Sequence, residues 1–488
     1  MRPTEADRMS SDINSGNSLR RTKIVCTIGP STGSVSAMET LLQAGMDVAR
    51  INFSHGTHEE HASYITNLRQ VAERLDLPLA IMQDLPGPKR RTGKLGEGAV
   101  ELRKGASFTL TTREMIGDEH RVYVDSPELS YSVKPGDIIY IDDGAIKLEV
   151  ISVTDIDINC QVVTGGRLTE HKGINIPGIS WSTPALTEED RRHLLFGLEQ
   201  NVDFIALSYI GEASAVFEVK RFLQQNGAST PLIAKVERRE ALENLDEILE
   251  AADGAMVARG DLAIEIPIQK VPITQKRIIQ KCNHLGKPVI VATQMLQSMI
   301  NAPNPTRAEV TDIANAIFDG ADALMLSGET AVGGYPTESV SMMAQVALET
   351  ESALPYEEIL MNKGRDLQPE TDDAISYAAC HTAMQLKVAA IIAFTSSGST
   401  ARRVAKYRPG VPILAITSSL TTQRRLSLSW GVRSFQVPEV SKIADLFRQG
   451  ASVARGAGIA GDGDLVVITG GVPIGVPGST NLLKVETV

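Results

Sequence analysis

"LAIMQDLPGPK", residues 79–89, decides how this chain is built. An apolar run of strand type ends on a carboxylate, Asp84; Pro86, Gly87 and Pro88 then break the chain, and Lys89, Arg90 and Arg91 follow at once. Two prolines around a glycine cannot continue a strand or a helix, so a strand ends here and a hinge begins. Before this point apolar runs alternate with amphipathic segments. From here to about residue 183 the texture changes to short alternating strands and turns such as "KPGD" and "DDGA", and "DIIYIDDGAIKLEVISV" (137–153) reads as a β-meander.

Counting outward from that break, strand-like runs stand at 23–28, 46–53, 79–84, 202–208, 232–237, 254–259, 288–293 and 321–327. Helical stretches separate most of them, among them "TEEDRRHLLFGLEQ", opened by Thr187, and "ITQKRIIQKCNHLG", closed by Gly286. Near-continuous apolar strands alternating with helices mean a parallel sheet covered on both faces. Eight such units predict a (β/α)8 TIM barrel. A doubly wound sheet is the alternative, but "CTIGPSTGS" does not fit the Gly-rich first turn such a sheet advertises. The predicted order is a mobile tail (1–20), barrel (21–88), an inserted all-β lid with the character of a small β-barrel (89–183), barrel again (184–355), and a C-terminal α/β domain (356–488). Pro/Gly-rich "LPGPK" and "NIPGISWSTPA" are the hinges into and out of the lid.

The chain has 488 residues, 42% hydrophobic and 22% charged, which fits several folded domains rather than disorder. Lys plus Arg total 48 against 59 Asp plus Glu, a net charge of −11, which argues against nucleic-acid binding through bulk positive charge. The four cysteines, Cys26, Cys160, Cys282 and Cys380, are scattered without a C-x-x-C pair, as expected of free thiols in a reducing compartment. No apolar stretch approaches the roughly 20 residues that cross a bilayer. The polar first twenty residues carry acids and lack the apolar core of a secretory signal. A cytoplasmic protein without membrane or nucleic-acid partners is the expectation.

In a β/α barrel the active site lies where the strands end. The second strand offers Arg50, Asn52 and Ser54, two apart and so on one face; the third offers Asp84; the fifth offers Lys235 and Glu237. The sixth gives Gly260 and Asp261 at a helix start, the seventh Thr293, and the eighth Ser327 and Glu329. One charged strand end is ordinarily just solvated. A whole rim of them needs partners. Glu237 and Asp261 suit one hard divalent cation that keeps places for substrate oxygens, Mg²⁺ or Mn²⁺. Arg50 presents a planar fork to a phosphate, backbone N–H groups at Gly260 and Asp261 suit a carboxylate, and Lys235 can neutralise charge on a phosphoryl group or an enolate. A phosphorylated enol acid satisfies all of these together.

"ARINFSHGTHEEH", "DLPGPKRRTG", "AKVERRE", "MVARGDLAIEIP", "VATQMLQSM" and "GADALMLSGETAVGGYPTES" resemble the pyruvate kinase family in order and spacing, and "TSSGSTARRVAKYRP" extends the resemblance toward the C-terminus. The resemblance implies a barrel, a β lid and a C-terminal regulatory domain, and transfer of the phosphoryl group of phosphoenolpyruvate to ADP, giving pyruvate and ATP. It implies that Arg50, Gly260, Asp261 and Thr293 hold phosphoenolpyruvate, with Thr293 also in the proton relay. Glu237 and Asp261 would ligate Mg²⁺, and Lys235 would stabilise the transition state. Asn52, Phe53, Ser54, His55, Arg91 and the lid's Lys172 would meet the nucleotide. Asn52, Ser54, Asp84 and the carbonyl of Leu85 match a K⁺ pocket. K⁺-dependent relatives typically carry Glu where this chain has Lys89, and Thr where it has Leu85. A lysine ammonium there would supply the cation's charge covalently, so Lys89 is expected to replace K⁺; a solvated Lys89 beside a normal K⁺ site is the alternative. The loop Thr395, Ser396, Ser397, Gly398, Ser399 and Thr400 follows a strand and opens a helix, which suits a phosphorylated small-molecule effector or, more simply, an N-cap. A homotetramer is implied by the resemblance alone.

Three rival readings carry less. A pyruvate-enolate lyase needs one metal and a carboxylate nest but has no use for Lys172, Arg50 or Arg91. A non-catalytic sensor would not need Lys235, Glu237, Asp261 and Thr293 together. His55, His58 and His61 in "HGTHEEH" could suggest zinc, although such spacing at a helix start is commoner on a plain surface.

Overall fold

The computed structural model describes residues 20–88, 90–142, 144–178, 186–440, 442–473 and 478–488. The tail expected at 1–20, save Arg20, lies outside the described residues, as do Lys89 and most of the hinge leaving the lid.

The eight runs fold as β1 (Lys23–Ile28), β2 (Val48–Asn52) and β3 (Ala80–Asp84) before the insertion. After it come β12 (Phe204–Leu207), β13 (Leu232–Val236), β14 (Gly254–Ala258), β15 (Val289–Ala292) and β16 (Ala323–Leu326). They close into one ring in the order β1-β16-β15-β14-β13-β12-β3-β2, parallel at every seam. Helix starts follow local chemistry. Thr57, Thr187 and Thr306 each cap a helix reciprocally with the acid three residues on, Glu60, Asp190 and Glu309.

Strand parity then sets the site. Val25, Val48, Ala80, Met82, Phe204, Ala206, Ile233, Met256, Ile290, Ala292, Ala323 and Met325 form the inner core of the ring. Ile24, Ala49, Ile81, Ile205, Ala234 and Val257 face the outer helices. Side chains alternate along a strand. The residue two beyond an inward apolar one therefore points inward at the mouth: Thr27 above Val25, Arg50 above Val48, Asp84 above Met82, Ser208 above Ala206 and Lys235 above Ile233.

Between β3 and β12 lies the insertion: β4 (Ala99–Leu102), β5 (Ser107–Thr111), β6 (Arg121–Tyr123), β7 (Ile138–Ile141), β8 (Ile146–Val153), β9 (Asp157–Thr164), β10 (Gly166–Thr169) and β11 (Ile174–Asn175). It has its own apolar core around Phe108, Leu110, Ile139, Leu148 and Ile158. The strands make a six-stranded sheet, β11-β7-β8-β9-β5-β6, and a separate pair, β10-β4, rather than the single small barrel the sequence suggested. Isolated bridges at Arg91–Gly173, Thr92–Val124 and Leu95–Gly117 pin the segment that enters the lid.

The C-terminal part carries β17 (Ala390–Phe394), β18 (Ile413–Thr417), β19 (Val432–Gln436), β20 (Leu465–Gly471) and β21 (Thr480–Thr487), in the order β19-β18-β17-β20-β21. Only β21 runs antiparallel. It is fastened under the barrel. Lys23 Nζ donates to the Val432 carbonyl at 2.9 Å, Arg408 pairs with Asp322 at 2.9 Å, and Leu428 joins the inner barrel core.

Candidate active site

Asp84 is the hub of the mouth. One oxygen takes Arg50 Nε at 2.6 Å and the other takes Lys235 Nζ at 3.1 Å. Burial pushes this carboxyl up, yet the two cations win and hold it below the usual carboxylate range. Arg50 is braced on its far side by Thr27 Oγ1 at 2.9 Å.

Lys235 sits among three neighbours: Asp84, Glu237 Oε1 at 2.9 Å and Ser208 Oγ at 2.6 Å. Burial works against its charge, but Asp84 and Glu237 outweigh it and keep the ammonium above its ordinary range. Glu237, 1% exposed, is pushed up by burial and by Asp261, with Lys235 opposing. The two carboxylates of the expected cation pair therefore feel each other directly. A third protein carboxylate is not part of the set. Among the described residues no group of three or more His, Cys, Asp or Glu is arranged to hold a metal. A buried Glu237 beside a partly exposed Asp261 suits Mg²⁺, which keeps water and substrate oxygens in its shell.

The helix Arg259–Glu265 starts immediately after β14 and carries Gly260 and Asp261 in its first turn. The Gly260 N–H, expected to be open for a carboxylate, donates to Thr293 Oγ1 at 2.9 Å. Thr293 reaches it because its backbone turns left-handed, at φ +70°. Arg259 fastens the same turn by donating to the carbonyls of Ala292 at 3.2 Å and Thr293 at 2.7 Å. Thr293 thus stands beside the helix start with its hydroxyl already engaged.

Cations gather on the side expected to meet the nucleotide. Burial first, then the charges of Arg91, Lys172 and Arg50, lower the pKa of His55. Arg91 is steadied by the His171 carbonyl at 3.1 Å, and Lys172 pairs with Asp142 at 2.8 Å. Asn52 Oδ1 caps the Ser54 N–H at 3.2 Å. Phe53 does not share this face. Its ring is 5% exposed and packs behind the loop, with ring centroids 4.4 Å from His61 and 5.1 Å from His193. The histidines of "HGTHEEH" do not converge either: His58 Nε2 lies 2.8 Å from His193 Nδ1, and His61 stacks inward on Phe53.

Of the expected monovalent pocket, Asp84 is balanced by Arg50 and Lys235, and the Leu85 carbonyl accepts Ser208 Oγ at 2.7 Å. Lys89 lies outside the described residues. Glu329, counted with the rim, is instead fully buried and spent on the backbone N–H groups of Leu296 and Ser327. Three participants were missing from the sequence reading: Thr27, Ser208 and Tyr209. Alternation along the first and fourth strands points to Thr27 and Ser208, whereas Tyr209 reaches the site only through its left-handed backbone.

In the C-terminal domain a cavity of about 90 Å³ is lined by Thr395, Ser396, Ser399, Thr400, Thr417, Ser418, Glu439 and Ser479, among others. Ser397 and Gly398 are not in its wall. The Gly398 N–H is capped by Thr395 Oγ1 at 2.8 Å, and buried Thr400 hydrogen-bonds Thr480 at 2.8 Å.

Comparison with known proteins gives one family. Residues 19–340 match the pyruvate kinase barrel domain, and residues 373–486 match the pyruvate kinase alpha/beta domain. The chain is 49% identical to a pyruvate kinase of Geobacillus stearothermophilus over 472 residues, covering 96% of this chain and 80% of that one. It is 45% identical to a pyruvate kinase of Sporosarcina psychrophila over 473 residues, 96% of this chain and 81% of that one. A crystal structure of a pyruvate kinase from Cryptosporidium parvum superposes with a TM-score of 0.91 at 36% identity, covering 97% of each chain.

Proposed function

The chain belongs to the pyruvate kinase family and is a phosphotransferase that moves the phosphoryl group of phosphoenolpyruvate to ADP; on that premise we propose how its own residues divide the work. The observation that carries the assignment is Lys235, held 2.9 Å from Glu237 and 3.1 Å from Asp84 at the barrel mouth. A fixed ammonium beside a two-carboxylate pocket is what phosphoryl transfer between anions requires.

Glu237 and Asp261 hold the divalent cation, Mg²⁺ or Mn²⁺, which when bound neutralises phosphate charge and orients substrate oxygens. Arg50, Gly260, Asp261 and Thr293 bind phosphoenolpyruvate. Arg50 is preset for the phosphate by Asp84 and Thr27, and the Thr293 hydroxyl stands where a proton can pass to the enolate. Asn52, Ser54, His55, Arg91 and Lys172 receive the nucleotide phosphates, with Phe53 serving through its backbone. The lid carries Arg91 and Lys172 over the mouth and excludes water, which would otherwise compete with ADP. Lys89 takes the place of K⁺, a reading carried by the lysine at a position where K⁺-dependent relatives typically have Glu. The Thr395–Thr400 loop and its cavity take a phosphorylated effector, and the enzyme works as a cytoplasmic homotetramer. No described helix is long and apolar enough to cross a membrane. A coupled assay of pyruvate release from phosphoenolpyruvate and ADP, with ATP measured in parallel, tests the whole reading. Pyruvate without matching ATP would refute the transfer step.

A further inference from the structure

Tyr209 stands one residue beyond Ser208, where the chain leaves β12. Its backbone is left-handed, φ +59°. Such a conformation is uncommon for an aromatic residue and costs on the order of 1–3 kcal/mol, so surrounding contacts must hold it there. Two contacts do. The Tyr209 N–H donates to Glu237 Oε2 at 2.8 Å. Its phenol donates to Asp261 Oδ1 at 3.1 Å. One residue thus reaches both carboxylates of the cation pair, though they come from different elements, the end of β13 and the helix Arg259–Glu265.

The geometry explains why the strain is worth keeping. In an ordinary extended or right-handed conformation the N–H and the side chain of one residue would not both face this pocket. Glu237 and Asp261 repel each other when both are charged; Lys235 already holds Glu237 Oε1, and Tyr209 holds its other oxygen together with Asp261. A carboxylate has about four lone-pair positions, so each can accept from Tyr209 and still present an oxygen to a cation. Hydrogen bonds that orient ligating carboxylates are commonly worth ~10–100-fold in metal affinity.

We propose that Tyr209 is the positioning residue of the divalent-cation site, its N–H setting Glu237 and its phenol setting Asp261 before the cation arrives. The inference rests on Glu237 and Asp261 being the cation's ligands. It assigns Tyr209 no contact with substrate and no proton transfer.

The test is a Mn²⁺ titration of the full-length protein followed by the electron paramagnetic resonance signal of free Mn²⁺, without substrates. Wild type, Tyr209→Phe and Glu237→Gln are compared at 25 °C, where each is folded by circular dichroism. Tyr209→Phe keeps the ring and the backbone donor and loses only the phenol bond. It is expected to raise the Kd for Mn²⁺ ~10-fold or more. The Mg²⁺ concentration for half-maximal turnover should rise in proportion, with kcat at saturating Mg²⁺ within about 3-fold of wild type. A Tyr209→Phe protein with the wild-type Kd, while Glu237→Gln loses binding, overturns the inference alone. A Mn²⁺ affinity indifferent to Glu237→Gln overturns the ligand assignment and the inference with it.

Discussion

Asp190 Oδ1 accepts the Gly87 N–H at 3.3 Å, while its other oxygen accepts the Thr187 N–H at 3.1 Å and hydroxyl at 2.7 Å. One buried carboxylate therefore ties the chain running into the lid to the chain coming out of it. Gly87 is itself pressed onto the barrel: at φ +66° a Cβ there would lie 2.9 Å from the Ser208 carbonyl oxygen. Ser208 in turn holds Lys235. The hinge and the Lys235 ammonium share one support.

Asp190→Ala should loosen both hinge strands together. Loss of the cap and of a partner for Gly87 is expected to cost about 1–3 kcal/mol of stability, read as a lower melting temperature. The KM for ADP should rise more than that for phosphoenolpyruvate, and pyruvate should form in excess of ATP. Equal rises in both KM values with matched products would count against a hinge role.

Lys235→Met removes the charge proposed to face the transferring group. The expected loss is ~10²–10³ in kcat. Glu237 is then left buried without its cation, so the metal-free protein should also melt earlier, while Mn²⁺ binding, which relieves the same unpaired charge, should persist. Near-normal turnover would refute the role.

Full activity is expected with Mg²⁺ and a bulky organic cation in buffer free of K⁺ and Na⁺. If Lys89 replaces K⁺, Lys89→Glu should make the enzyme depend on K⁺, because the charge the lysine supplies is then reversed. A wild type inactive until K⁺ is added would show that Lys89 does not replace it.

Glu265 gives a pH prediction. Burial, then the like charge of Glu240, push its carboxyl up to about 7. In the unfolded chain a glutamate titrates near 4.3, so across the window from about pH 4.5 to 7 the folded chain keeps a proton the unfolded chain has released. The stability this supplies is present below the window and is lost as pH rises through it, up to roughly 3 kcal/mol. Glu265→Gln should melt with wild type at pH 4.5 and above it at pH 7.5. A difference independent of pH would refute the assignment.

For the proposed effector cavity Ser399→Asp is the informative change. Thr400 is buried against Thr480, and an acid there would test folding instead. With Ser399→Asp, sugar phosphates or nucleoside monophosphates that shift the half-saturation for phosphoenolpyruvate in wild type should no longer do so, by like-charge repulsion. An unchanged shift would remove this loop from consideration.

Periodicity predicts a covered parallel sheet of eight strands, and the lack of a Gly-rich first turn favours a closed ring over an open sheet. Eight apolar runs, each buried on both faces, have no stable home except a covered parallel sheet, and alternation put Arg50, Asp84, Lys235 and Glu237 at its mouth. The prolines around Gly87 marked the insertion for the same local reason. What the sequence could not carry was partnership. That Asp84 spends itself on Arg50 and Lys235, that Thr293 takes the Gly260 N–H, and that Glu329 serves backbone donors rather than substrate depend on how strands far apart in the chain abut. Phe53 turns inward because His61 and His193, from two different helices, meet it there. Tyr209 reads as an ordinary strand-end aromatic until closure of the barrel brings Glu237 and Asp261 within reach of its left-handed backbone. Local pattern fixes which face a side chain takes; only the closed ring decides what it meets.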